Sequence, residues 1–175
     1  MPRLLRHLAH LASGVQLGVL IALPVIPMAL ADAPAYVTTR ILSEEAANDV
    51  AAAAALRCRE MGFQTAVAVT DRGGRLLAFL RNPLAGPHTV DISQRKAYSA
   101  ATYQSATSAL ADRNELAATP GVFLVGGGVP ILVGGHFYGA VGVSGAPRDK
   151  AAGDNDEACA QAGIDAIRER LEFAD

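Results

Sequence analysis

The sequence predicts an α/β protein of the α+β type: a five-stranded, mainly antiparallel sheet flanked by helices, in the order α-β-β-α-α-β-β-β-α. Three observations predict it. Five short β-type runs, Thr65–Asp71, Arg75–Arg81, Val122–Val125, Ile131–Val133 and Phe137–Ser144, are separated by glycine- or proline-bearing turns. Stretches of helical periodicity with capping residues stand before, between and after them. The first two strands and the last two are joined by very short glycine turns, which only antiparallel neighbours permit.

The elements follow in order. Residues 1–31 carry Arg3 and Arg6, then an uncharged, mostly apolar run of 21 residues from Leu11, and close on Ala29-Leu30-Ala31. This layout is that of a secretory signal peptide cut after Ala31. A retained membrane anchor is the other reading of the same run, although prolines and polar residues interrupt it. Residues 32–42 then form an N-terminal extension, and 43–175 one domain. Ser43 with Glu44 and Glu45 is an N-cap and acidic first turn, and Gly62 stops the alanine-rich helix after Glu60. Arg72-Gly73-Gly74 turns the first hairpin, Asn82–Pro87 is a loop, and a helix begins near Thr89 or Asp91. A short helix near Ser105–Leu110 follows. Gly134-Gly135 turns the last hairpin, and Asp154-Asn-Asp-Glu157 opens a final helix to about Phe173.

Between Val125 and Gly145 lie eight of the chain's seventeen glycines, although glycine weakens a strand. Close approach of another group explains such a cluster. On the strand Phe137–Ser144, strict alternation places Phe137, Val141 and Val143 on one face, and Ala140, Gly142 and Ser144 on a nearly flat second face open to a helix or planar ligand. Gly126, Gly127 and Gly128 can offer backbone N–H groups to a carboxylate or phosphate, or can simply allow tight packing. The segment is no nucleotide loop, since it lacks both the Gly-Lys-Ser/Thr and the last glycine of G-x-G-x-x-G.

Charge and cysteine usage narrow the partners. Removing residues 1–31 leaves 13 Lys and Arg against 17 Asp and Glu, a net −4, with no basic run and no Trp. Nucleic acid is therefore not expected as a partner, nor is a membrane surface once the signal is removed. Cys58 and Cys159, the only cysteines, fall in the first and last helices, and in an exported chain they are expected to form a disulfide; two buried thiols are the alternative.

Several motifs together resemble one family. Gly127-Gly-Val-Pro-Ile131, Tyr138-Gly-Ala-Val-Gly-Val-Ser-Gly-Ala146 and Asp156-Glu-Ala-Cys-Ala160 follow Val67-Ala-Val-Thr-Asp71 and Arg95-Lys-Ala-Tyr98 in order. This set is similar to the GlcG/HbpS-like haem-binding family, itself related to the C-terminal domain of PduO-type proteins. The resemblance spans about Ser43 to Leu171. It implies a five-stranded antiparallel sheet, assembly into homo-oligomers, and haem as the cofactor, bound or degraded. Where many members carry Arg-x-Asp-Gly-Ala, this chain has Arg81-Asn-Pro-Leu-Ala-Gly-Pro-His88.

The candidate site residues are therefore His88, Lys96, Arg95, Gly126, Gly127, Gly128 and Ser144. Only His88 and His136 remain as histidines after residue 31. His88, between a proline-rich loop and a helix, is the expected iron ligand, because imidazole ligates haem iron. Lys96 lies on the helix side of Ile92 and can neutralise a propionate or another carboxylate. Ser144 is no catalytic nucleophile, since Gly142-Val-Ser-Gly145 is not followed by a helix. No catalytic constellation is visible. The expected function is an exported, periplasmic or extracellular small-ligand-binding protein that takes haem or a related tetrapyrrole as carrier, scavenger or sensor component. The alternatives are an enzyme acting on a small carboxylate metabolite, with Lys96 and the Gly126–Gly128 amides as its anion site, and a homo-oligomer without a dedicated ligand.

Overall fold

Ser43 begins the first helix as read: its hydroxyl accepts the Ala46 N–H at 3.2 Å, with Glu44 and Glu45 in the first turn. In this computed structural model, which describes residues 33–174, α1 runs Glu44–Glu60. It buries Ala46, Ala47, Val50, Ala51, Ala54 and Cys58 on one face. At its end Gly62, at φ +86°, donates to the Arg59 carbonyl while Phe63 donates to Cys58, a Schellman closure. Residues 1–31, read from the sequence as a signal peptide, lie outside the described residues.

The sheet has strands β1 (Ala66–Thr70), β2 (Leu76–Arg81), β3 (Gly128–Val133) and β4 (His136–Ser144), ordered β2-β1-β4-β3 and antiparallel throughout. Asp71 fixes the first hairpin by accepting the Gly73 and Arg75 N–H groups at 2.8 and 2.9 Å. Gly134 and Gly135, at φ +56° and +77°, turn the second. Between the hairpins run α2 (His88–Tyr103) and two 3-10 turns, Thr107–Leu110 and Leu116–Ala118. The final helix divides into α3 (Asp154–Asp165) and α4 (Arg168–Glu172). Thr38–Asp175 forms one compact unit.

The sheet has four strands, not the expected five, because Val122–Val125 does not pair. Its backbone finds other partners: Phe123 N–H donates to the Ser99 hydroxyl at 2.7 Å, the Val122 carbonyl accepts from Arg95, and the Val125 carbonyl accepts from Thr107. Side chains of α2 and the first 3-10 turn thus satisfy what a ladder would otherwise satisfy.

The expected alternation along β4 also needs correction. The β3–β4 register passes from Ile131↔Gly139 to Leu132↔Phe137, so the strand bulges at Tyr138-Gly139. Phe137 consequently packs with Ala140, Ala100 and Ala101, and Tyr138 joins Val141 and Val143 in the main core. That core lies between the sheet and the α1–α3 layer, where Cys58 and Cys159 form a disulfide with Cα atoms 5.5 Å apart. Helix α2 covers the other face. A Cβ at Gly142 would lie 2.0 Å from the Ser93 carbonyl and 2.9 Å from the Ala97 Cβ, so a helix backbone is what the flat strand face admits.

Candidate functional site

The N-terminal half of α2 places His88, Ile92 and Lys96 four residues apart on one side of the helix, where they form one wall of a cleft of about 540 Å³. Phe123 and Val125, from the segment that failed to become a strand, form the facing apolar wall. The end of β4 and the turn after it supply Ser144, Ala146 and Pro147, and Asp156 reaches in from the first turn of α3.

The loop carrying His88 is closed by its own side chains. Arg81 donates to the Ala85 carbonyl, the Leu84 N–H donates to Asn82 Oδ1, and the Thr89 hydroxyl donates to the Gly86 carbonyl at 2.7 Å. This leaves His88 exposed at the cleft's rim, directly over Gly86, where a Cβ would come within 2.7 Å of the imidazole. The wall opposite is held just as firmly. Arg95 lies 5.1 Å from the Phe123 ring centroid and donates to the Val122 carbonyl. Arg95 therefore supports the site from behind and does not line it.

The cleft ends on an ion pair. Lys96 Nζ donates to Asp156 Oδ2 at 2.8 Å and to the Val143 carbonyl at 3.0 Å, and both charged side chains are almost wholly buried. Asp156 Oδ1 accepts the Ala146 N–H at 3.0 Å. Burial pushes the Asp156 carboxyl above the ordinary aspartate range, and Lys96 and that N–H pull it back. Lys96 is accordingly no free cation: it brings to the cleft an ammonium already neutralised, with one of its three N–H groups unassigned.

The glycine triplet serves this pair. A Cβ at Gly127 would lie 2.7 Å from Lys96 Nζ and 2.8 Å from the Asp156 Cβ, and one at Gly128 would lie 2.3 Å from the Lys96 carbonyl. The Gly128 N–H donates to the Thr107 hydroxyl at 2.9 Å and the Gly127 N–H to Glu157 at 3.3 Å. Glu157 also accepts from the Ser108 N–H and hydroxyl. Gly126, Gly127 and Gly128 do not line the cleft, and the amides of Gly127 and Gly128 already have protein partners.

The structure thus brings His88, Lys96 and Ser144 to one cleft, while Arg95 lies behind it and the glycine triplet beneath Lys96. Asp156 is the cleft residue that reading Asp154–Glu157 as an acidic helix start passed over. Helical spacing could have found it: Asp156, Cys159, Ala160 and Gly163 fall at i, i+3, i+4 and i+7, and all four are buried.

A four-stranded antiparallel sheet between helices, with a side cleft lined by both apolar and polar groups, defines a small α+β domain whose cleft is the candidate ligand site. The sequence of residues 42–165 matches the family described as haem degrading protein HbpS-like, and the chain belongs to that family. Protein GlcG of Escherichia coli K12 is 35% identical over 112 residues, 61% of this chain and 84% of the relative. The crystal structure of HbpS superposes with a TM-score of 0.71 at 35% identity, covering 78% of this chain and 97% of that one. The crystal structure of a PduOC–haem complex superposes at 0.65 with 25% identity, covering 73% and 96%.

Proposed function

We propose that this chain is an exported haem-binding protein, a carrier, scavenger or sensor component, which takes haem or a related tetrapyrrole in the cleft beneath His88. The observation that supports it most is the joining, in one cleft, of an imidazole at the rim, apolar walls from Ile92, Phe123 and Val125, and a neutral polar floor. The donor set fits such a group. Among the described residues no three His, Cys, Asp or Glu side chains gather to hold a bare metal ion, whereas a lone imidazole suffices for iron that brings four ring nitrogens of its own. Haem would supply the iron and the chromophore. The protein's part is to ligate through His88, to cover the macrocycle with apolar side chains, and to offer the remaining Lys96 N–H to a propionate.

Titration of the purified protein with haemin, followed by absorption, tests this reading. Saturable binding at micromolar concentration with a shifted Soret band is expected. In His88→Ala the band should shift again and affinity should fall clearly. Absence of haemin binding by the wild-type protein would overturn the proposal, and a wild-type spectrum in His88→Ala would remove that residue as the ligand.

A further inference from the structure

A second cavity, of about 170 Å³, opens among the last turns of α1, the start of β1 and the end of β2, and it shares no lining residue with the cleft. Its chemistry is one-sided. Arg59 and Arg81 both line it, and no acidic residue does. Among the described residues neither arginine forms a salt bridge, and Glu60, next to Arg59, pairs with Arg57 instead at 3.7 Å.

Two further groups line the same space. Thr65 is only 3% exposed, and its carbonyl accepts the Asn82 N–H at 2.9 Å, but its hydroxyl has no partner among the described residues. The hydroxyl is therefore a polar group still able to bond to whatever occupies the cavity. Asn82 Oδ1 is occupied by the Leu84 N–H, so its amide nitrogen remains a donor. Ala55, Leu80 and Pro83 make up the apolar part of the lining.

An anion in a space lined by two arginines and no acid gains charge-assisted hydrogen bonds, which a guanidinium can make bidentate. At about 30 Å³ for each water-sized group, the cavity holds on the order of six non-hydrogen atoms. We propose that it is a binding site for a small monocarboxylate with a short hydrocarbon body: the carboxylate between Arg59 and Arg81, a second polar contact to Thr65, and the hydrocarbon against Leu80 and Pro83. Because the two sites have no residue in common, either can fail while the other stands.

Calorimetric titration with sodium butyrate, inorganic phosphate and butan-1-ol tests the assignment. Butyrate should bind saturably, phosphate more weakly and butanol not at all. Arg59→Gln, whose side chain makes no hydrogen bond to the described residues, should weaken butyrate about tenfold or more and leave the melting temperature unchanged. Arg81→Gln should act in the same direction, with some loosening of the loop through Ala85. Four results would overturn the site: no saturable butyrate binding up to about 10 mM, equal binding of butanol, tighter binding of phosphate, or undiminished affinity in Arg59→Gln. A haemin titration altered by Arg59→Gln would overturn the independence of the two sites.

Discussion

Asp156 shows how much a single side chain can determine. Removing two charges from water costs several kcal/mol each, and their attraction repays this only while both partners stay in place. Asp156→Ala would leave the Lys96 ammonium buried with only the Val143 carbonyl for company, and it should destabilise the fold by about 3–5 kcal/mol. Lys96→Met combined with Asp156→Leu should cost less than either change alone, because no unpaired charge remains. Urea unfolding of Asp156→Ala, of the two single changes Lys96→Met and Asp156→Leu, and of their combination measures both statements, and additive losses would show that the two residues do not act as a pair. Gly142 makes a steric counterpart. With the Ser93 carbonyl where its Cβ would be, Gly142→Val must push α2 off the sheet. A loss of at least about 1–3 kcal/mol is expected from overpacking, read as a lower melting temperature.

At the level of elements, the start of α3 depends on one half-buried carboxylate. Asp154 accepts the backbone N–H groups of Asp149, Lys150, Ala151 and Asn155, the Lys150 bond at 2.7 Å. Those hydrogen bonds, the Lys150 bond foremost, hold its carboxyl below the usual aspartate range. A lowered folded-state pKa adds stability above the unfolded value, near 3.9, and this is lost as pH falls through the folded value. The melting temperature of wild-type protein should therefore fall more steeply below about pH 4 than that of Asp154→Asn. Parallel curves for the two would show that the loop's hydrogen bonds do not depend on the charge. This element, like α1 and both hairpins, was legible in the sequence, since caps and glycine turns act within a few residues. Val122–Val125 and the β4 bulge were not. The backbone of Val122–Val125 is held by Ser99, Arg95 and Thr107, 18 to 27 residues away in sequence, and beside the bulge the Thr70 hydroxyl donates to the Ala140 carbonyl from 70 residues away; local alternation carries no trace of such partners. The same limit applies to the site. His88, Ile92 and Lys96 share a helix side that spacing reveals, but only the fold shows that Asp156 meets Lys96.

For the whole molecule, the Cys58–Cys159 bridge and the proposed export support each other. The bridge joins α1 to α3 across a sequence separation of 101 residues, and in the chain-entropy model a loop of that length contributes about 4–5 kcal/mol. A disulfide of this kind persists in an oxidising compartment and is rare in a reducing one. Protein recovered after export should therefore begin at Asp32 and contain no free thiol, whereas residues 32–175 made in a reducing cytosol should show two thiols on titration under denaturing conditions. Reduction should lower the melting temperature by on the order of 10 °C. It should not abolish the fold, because the core between sheet and helices includes Val50, Val67, Val69, Ile131, Val141 and Ile164 independently of the bridge. The unfolding transition of the reduced protein should remain cooperative and move upward again on reoxidation. Two free thiols in the exported, folded protein would refute the bridge, and an uncleaved N-terminus on protein held at a membrane would replace export with anchoring.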